Sequence, residues 1–173
     1  MKTIAILSVS ALLYLALPSY GQKKEDQIRQ IRKDFQAINS NTTLRVISLD
    51  AEAFLENLPD GGAKLTGYYE KDKLVKIVEW IGLSYGNRIR EFYFKNEKMF
   101  FVYEKFQSFV QKGEELDKSK TRTSFEGRYY IVRDKVIEQK IIGERTLEEE
   151  PENILKEFET AAVKYRRKLL RND

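Results

Sequence analysis

The chain has 173 residues, and its 31 Lys and Arg against 27 Asp and Glu give a formal net charge of +4 at pH 7. It contains no cysteine and no histidine, which excludes disulfides, lipid attachment through a cysteine, the common zinc sites and nucleophiles activated by histidine. Basic and acidic residues alternate along the chain instead of forming the stripe of one sign that nucleic acids need, so no nucleic-acid partner is predicted.

The first 21 residues have the pattern of a cleavable secretory signal peptide. A lysine near the start precedes an uncharged, apolar stretch over residues 4–17, and the small residues Ser19 and Gly21 lie third and first before the predicted cut. The apolar stretch is shorter than the ~20 residues that a membrane span requires. We therefore expect cleavage between Gly21 and Gln22, export of the protein into the periplasm or the medium, and no stable membrane insertion after cleavage.

Residues 22–173 are predicted to form a single α+β domain, which must rest on its hydrophobic core because no disulfide can support it. Apolar residues at helical spacing predict an amphipathic helix over residues 23–38. A short strand is predicted over residues 44–49, and Asp50 is in position to cap a brief helix that ends near residue 57.

β-Branched and aromatic residues dominate residues 64–142 and predict strands there. Three segments share one pattern: tyrosine, a large apolar residue, any residue, a polar pair, lysine and two apolar residues. Each polar pair is predicted to be the loop of a tight hairpin, and the polar stretch over residues 111–122 to be a longer excursion. We expect an antiparallel meander of six strands that is able to curl strongly. The segments are residues 68–75, 93–100 and 130–137, and their polar pairs are Lys71 with Asp72, Asn96 with Glu97, and Arg133 with Asp134.

The repeated pattern also predicts which side chains share a face of the sheet, because neighbours along a strand alternate between faces. Both faces are apolar near the hairpin loops, so each needs a cover: a curled sheet, a helix, a partner chain or a ligand. On one face the predicted pairs are Tyr69 with Leu74, Phe94 with Met99, and Ile131 with Val136, and on the other they are Tyr68 with Val75, Tyr93 with Phe100, and Tyr130 with Ile137.

A second amphipathic helix is predicted over residues 151–171, with Pro151 in its first turn. Acidic residues lie at its amino end and basic residues at its carboxyl end, where both complement the helix dipole. We expect this helix to pack against the meander.

The repeated tyrosine, turn, lysine and apolar pattern resembles that of exported and cytoplasmic proteins built from β-hairpin repeats, such as MORN-type proteins. The resemblance covers residues 68–142 only, and the turns of those proteins normally carry glycine, which the three polar pairs here lack. It implies scaffolding or binding and no catalysis, and it transfers no functional residue to this chain.

No cofactor and no metal ion are predicted, because the chain has no glycine-rich phosphate loop, no EF-hand spacing and no histidine or cysteine ligands. No catalytic motif is recognisable either. The one enzymatic chemistry left open is that of a glycosidase, in which two carboxylates meet across a cleft. Its candidates are the strand glutamates Glu79, Glu91, Glu104, Glu126 and Glu138.

The sequence therefore predicts an exported, noncatalytic binding or envelope-associated protein whose partner is a protein, a glycan or an apolar ligand. Fifteen of the 19 aromatic residues that follow the predicted cut lie within residues 68–130, so the expected binding site is an aromatic face of the sheet. Two alternatives stay open: the rings form core, or the protein carries a small apolar ligand in a pocket. The candidate site residues are Tyr68, Tyr93 and Tyr130, with Trp80 and Tyr85 nearby.

Overall fold

The computed structural model describes residues 20–145 and 151–171. Residues 1–19 of the predicted signal peptide lie outside the described residues, whereas Tyr20 and Gly21 are the first residues of a helix. None of the helices in this part of the chain is long and apolar enough to cross a membrane.

The described residues form three helices and one antiparallel sheet of seven strands, whose order in the sheet is their order in the chain. The sheet does not close on itself. The predicted α+β fold, with a meander between an N-terminal and a C-terminal helix, is confirmed. The helices are α1 (Tyr20–Ser40), α2 (Ala51–Phe54) and α3 (Ile154–Leu170), and the strands are β1 (Arg45–Asp50), β2 (Ala63–Glu70), β3 (Lys73–Leu83), β4 (Gly86–Lys95), β5 (Lys98–Lys112), β6 (Glu115–Ile131) and β7 (Val136–Gly143).

The predicted meander of six strands with one long excursion is corrected in two places. The strand predicted over residues 44–49 pairs with β2 and adds a seventh strand to the sheet. Residues 111–122 are not an excursion, because they lengthen β5 and β6 into a paired arm that turns at Gly113, which has a φ of +66°. Most side chains of this arm are exposed, so its polar composition fits a strand that water reaches on both faces.

All three polar pairs of the repeated pattern lie in two-residue hairpin turns, as predicted. Both residues of the second and third turns have positive φ, which is the geometry that matches the twist of the flanking strands. The cross-strand pairs predicted for one face are also confirmed: Tyr69 with Leu74, Phe94 with Met99, and Ile131 with Val136.

The pairs predicted for the other face are wrong by one residue. Each hairpin contains a register shift beside its turn, and such a bulge places two residues of one strand opposite one residue of its partner. A prediction that alternates faces from the turn leaves out this extra residue, so it names a partner one residue too close to the turn. The observed pairs are Tyr68 with Lys76, Tyr93 with Phe101, and Tyr130 with Glu138, and the extra residues are Val75, Phe100 and Ile137.

Helix α3 covers one face of the sheet. Its residues Phe158, Ala162, Tyr165 and Leu169 are buried and recur at steps of three or four, which places them on one side of the helix. Gly67 on β2 leaves room for this packing, since an added Cβ would lie 2.9 Å from a Leu169 methyl group. The larger of the two hydrophobic cores lies between this helix and the sheet.

The starts of two helices differ from the sequence prediction. Helix α3 begins after Asn153, whose side-chain oxygen accepts a hydrogen bond from the amide of Lys156 at 3.1 Å. Pro151 therefore precedes the helix instead of lying in its first turn. Asp50 does precede α2, but its side chain makes no capping hydrogen bond, and the helix ends at Phe54.

Helix α1 covers part of the opposite face, near the three repeated hairpins. Its residues Ile28 and Ile31 are buried against Tyr93, Phe101 and Tyr130. The cover that the second face needs is therefore a helix of the same chain, and the sheet lies between α1 and α3.

Candidate functional site

Two of the five candidate site residues, Tyr93 and Tyr130, are 0% and 3% exposed beneath α1. The ring centroid of Tyr93 lies 5.0 Å from that of Phe35 in the helix, and that of Tyr130 lies 5.1 Å from that of Phe101. The expectation of an exposed aromatic face is wrong for these two rings, because the helix lies on them. They belong to the core.

The other three candidates are partly accessible, but the structure does not bring them all together. Tyr68 is half-buried opposite Lys76, whose ammonium nitrogen lies 5.6 Å from its ring centroid. Trp80 is half-buried on the same face, four residues further along β3, which is about 13 Å at the usual rise of a strand. Tyr85 is 44% exposed in the turn at the far end of β3, where its ring packs on Phe106.

A cleft of about 490 Å³ lies beside α1, where the helix leaves its face of the sheet uncovered. We call it the α1 cleft, and its volume is in the range of sites for small ligands. Its partly accessible rings are those of Phe35 and Tyr103, other aromatic rings lie buried beneath them, and polar side chains surround them. The helix contributes Ile31, Arg32, Phe35, Gln36 and Asn39, and the sheet contributes Lys76, Glu91, Tyr93, Phe101, Tyr103, Arg128 and Tyr130.

One end of the α1 cleft is held by a closed network of hydrogen bonds. The Tyr93 hydroxyl donates to Glu91 and accepts from the side-chain amide of Asn39 at 3.0 Å. The Lys76 ammonium group donates to Asn39 Oδ1 at 2.9 Å and lies 3.0 Å from Glu91 Oε2. Burial, and then the Glu91 carboxylate, raise the pKa of Tyr93 far above its ordinary value. This hydroxyl therefore stays protonated and keeps the network neutral.

Tyr103 of β5 lies directly opposite Glu91 of this network, and Arg128 of β6 is its cross-strand partner on the other side. The Tyr103 hydroxyl donates to Glu126 Oε2 at 3.2 Å, and an Arg128 nitrogen lies 2.8 Å from Glu126 Oε1. The guanidinium carbon of Arg128 is 5.7 Å from the Tyr103 ring centroid. Burial and the Glu126 carboxylate raise the pKa of Tyr103. One carboxylate thus holds both side chains in place.

Arg32 lies on the helix side of the cleft with an exposed side chain. Its guanidinium carbon is 5.7 Å from the Tyr130 ring centroid. A hydrogen bond to Tyr130 raises the pKa of Arg32, so this side chain is charged at every physiological pH.

A glycosidase would need two of the strand glutamates to meet as a free acid and base. The two beneath α3 do not. Glu79 and Glu104 are 1% and 2% exposed there, and each forms an ion pair with an arginine. Glu138 forms an ion pair with a lysine of α1. Glu91 and Glu126 lie on the side of the α1 cleft, on β4 and β6, whose backbones are about 9.5 Å apart because β5 lies between them.

A second cavity of about 480 Å³ lies at the end of the sheet where the hairpin turns project, between the carboxyl halves of α1 and α3. Leu74, Val75 and Phe100 supply apolar surface to it. Seven charged side chains also line it, among them Arg166, which donates to the Glu97 carbonyl at 2.8 Å. The lining of this cavity therefore combines an apolar patch with charged side chains.

No sequence pattern singled out Lys76, Tyr103 and Arg128 as site residues. Alternation along a strand was the available signal, because Arg128 lies two residues before Tyr130 and shares its face. The extent of α1 decides which of these residues are covered, and no local pattern gives that extent.

The described residues contain no group of three or more Asp and Glu side chains that could hold a metal ion. Comparison of the chain with protein-family models, with curated proteins and with solved structures found no match. The geometry of the α1 cleft is therefore the basis for a functional conclusion.

Proposed function

We propose that the protein is exported and binds a carbohydrate, without transforming it, in the α1 cleft. The observation that carries the proposal is the pairing of two partly accessible rings, Phe35 and Tyr103, with hydrogen-bonded polar side chains in one open cleft of about 490 Å³. The signal-peptide pattern of residues 1–21 supports export. The resemblance to hairpin-repeat proteins also favours binding over catalysis.

A sugar ring has an apolar face of C–H groups and a rim of hydroxyls, and the α1 cleft offers a partner for each. The half-buried ring of Tyr103 offers an aromatic surface to the apolar face. Asn39, Lys76, Glu91 and Arg128 supply both donors and acceptors for the hydroxyls. A purely apolar ligand would displace water from these polar groups and offer them no hydrogen bonds in its place.

The polar side chains of the cleft are held in place before any ligand arrives. Asn39, Lys76 and Glu91 form one bonded network with Tyr93. Glu126 holds the Tyr103 hydroxyl and the Arg128 guanidinium group. Groups that are already ordered lose little conformational freedom on binding. This arrangement supports recognition of a defined ligand.

Calorimetric titration of residues 22–173 with a panel of neutral and acidic oligosaccharides tests the proposal. We expect at least one member to bind, and Tyr103→Ala to weaken that binding about tenfold, because the ring contributes most of the aromatic contact. Tyr85→Ala is the matched control, since Tyr85 is an exposed ring at the far end of β3. Absence of binding across the panel, or binding that Tyr103→Ala leaves unchanged, would refute the proposal.

The same titrations distinguish binding from hydrolysis. Glu91 and Glu126 lie on β4 and β6, offset by two residues because Glu91 is in register with Arg128. An inverting glycosidase would need their carboxylates, and not only their strands, to lie within roughly 6.5–9.5 Å of each other. Both carboxylates are engaged by a tyrosine hydroxyl and a cation, which favours a binding role. We expect the oligosaccharide to be recovered intact; shorter products that Glu126→Gln abolishes would establish a glycosidase instead.

A carrier of a small apolar ligand is the second candidate, and the apolar part of the cavity near the hairpin turns favours it. A fluorescent fatty acid is a suitable probe. Fluorescence that rises on mixing and falls in Val75→Lys, with Tyr103→Ala unchanged, would place an apolar ligand in that cavity and not in the α1 cleft.

A further inference from the structure

The charges of the α1 cleft are unequal in number. Lys76 is paired with Glu91, and Arg128 is paired with Glu126. Arg32 is the third cation of the cleft, and it forms no ion pair with a carboxylate of the described residues. The cleft therefore presents one cation that no carboxylate of the described residues contacts, and Glu25 and Glu138 act on it only through longer-range Coulomb interactions.

Arg32 lines the same cleft as a second arginine, Arg128. Arg32 contacts the ring of Tyr130, and Arg128 lies two residues before Tyr130 on the same face of β6. The positions of Tyr130 and Arg128 are about 7 Å apart along the strand. The Arg128 guanidinium group thus lies beside the ring of Tyr103, and that of Arg32 lies beside the ring of Tyr130, on the same face of the sheet.

We propose that the ligand of the α1 cleft is an acidic saccharide, in which a sugar ring carries a carboxylate, and that Arg32 and Arg128 bind that carboxylate. The inference rests on the proposed function and names the ligand class within it. A guanidinium group presents paired donors that match the two oxygens of a carboxylate. Glu126 occupies one Arg128 nitrogen and leaves the remaining donors of that side chain for a ligand.

Both carboxylates beside the cleft are already paired with cations of the protein. Glu91 lies on β4 directly opposite Tyr103 of β5, where Lys76 and the Tyr93 hydroxyl engage its carboxylate. The ligand carboxylate would lie on the β6 side of the cleft, with the two arginines, and its ring would lie over Tyr103. A neutral saccharide would leave Arg32 without a carboxylate partner.

The experiment compares acids with their methyl esters, which keep the ring and its hydroxyls and lose the charge. Oligogalacturonate and oligomannuronate of three units, each beside its methyl ester, are titrated into the protein at low and at physiological salt. We expect at least one acid to bind about tenfold more tightly than its ester and to lose affinity as salt rises.

Two variants of α1 test whether Arg32 causes the preference for the acid over its ester. Arg32→Gln is expected to weaken binding of that acid about tenfold and to leave binding of its ester unchanged, because only the acid interacts with the charge. Arg29→Gln is the matched control: it removes an exposed arginine of α1 that pairs with Asp26 outside the cleft. Circular dichroism confirms that both variants keep their helices.

The outcomes separate this inference from the proposed function. If neither acid binds more tightly than its ester while a neutral saccharide binds in a manner sensitive to Tyr103→Ala, the acidic ligand is refuted and carbohydrate binding stands. If Arg32→Gln weakens acid and ester equally, the role of Arg32 is refuted. If no saccharide binds, both proposals fall together.

Discussion

Arg90 on β4 and Glu157 on α3 are joined by a 2.6 Å contact that ties the helix to the middle of the sheet. Arg90 also lies 2.7 Å from Glu104, and Arg145 contacts both Glu104 and Glu157 at 2.9 and 3.2 Å. The four side chains therefore alternate in charge around a closed ring. Burial alone would lower the pKa of Arg90, but its carboxylate neighbours raise it above the ordinary value.

Removal of one carboxylate from this ring is expected to destabilise the fold strongly. Glu104→Gln would leave two buried guanidinium groups with a single carboxylate, and breaking a buried pair costs about 3–5 kcal/mol. The free energy of unfolding in urea, followed through the fluorescence of Trp80, measures the loss. Glu115→Gln, at the exposed tip of the β5–β6 arm, is the control. A loss of less than about 1 kcal/mol in the free energy of unfolding would show that the four side chains do not stabilise the fold as one network.

Glu157 gives the fold a dependence on acid pH. Burial alone would raise the pKa of this carboxyl, but Arg90 and Arg145 outweigh it, and the pKa is lowered. The folded protein thus holds the charged form more firmly than the unfolded chain does. Its stabilising contribution is present above about pH 4.3, the ordinary value for glutamate, and is lost as the pH falls through the lowered pKa.

We therefore expect Glu157→Gln to reduce the difference in urea midpoint between pH 7 and pH 3. The variant lacks the carboxylate whose protonation weakens the ring in acid. Glu159→Gln, an exposed position on the same helix, should keep the difference of the unchanged protein. An equal acid dependence in both variants would assign the effect to other carboxylates.

The third hairpin turn is expected to tolerate a stabilising change. Arg133 and Asp134 have φ values of 51° and 58°, and the left-handed region costs a residue with a Cβ about 1–2 kcal/mol. Arg133→Asn combined with Asp134→Gly should raise the free energy of unfolding by about 1 kcal/mol, because these residues favour this turn. Ser84→Gly is the control, since Ser84 lies in a turn without positive φ and should lose about 0.5–1 kcal/mol.

The periodicity of the sequence was sufficient to predict the hairpins and both long helices, because turn chemistry and helical spacing are local. The pairing of Tyr69 with Leu74 follows from a two-residue turn. The pairing of Tyr68 with Lys76 does not, because it depends on a bulge at Val75, and a bulge has no distinct signature in residue type. Helix α3 starts at a cap, Asn153, that the more conspicuous proline obscured.

The ring beneath α3 and the α1 cleft both join residues that are distant in the sequence. Arg145 contacts Glu104 across 41 residues, and Arg32 contacts Tyr130 across nearly a hundred. Strand alternation alone would place Arg128 on the face of Tyr130. It could not show that α1 covers Tyr130 and leaves Arg128 accessible, because that result depends on how two elements pack.

The attachment of α1 to the sheet is expected to depend on Phe35. Its ring lies 5.0 Å from that of Tyr93 and 5.2 Å from that of Phe101, and the side chain is half-buried. Phe35→Ala would remove both contacts and leave a cavity beneath the helix. Full burial would make that change cost about 3–5 kcal/mol, so we expect about 2 kcal/mol at this half-buried position.

Hydrogen exchange distinguishes a loosened helix from a weakened fold. In Phe35→Ala the amides of α1 should exchange faster than those of α3, because α1 rests on the smaller core and can open without the rest of the sheet. Lys33→Ala, at an exposed position of α1, should leave both rates unchanged. Equal loss of protection in both helices would mean that α1 opens only when the whole protein unfolds. The side of the α1 cleft that the helix forms would then be as stable as the sheet.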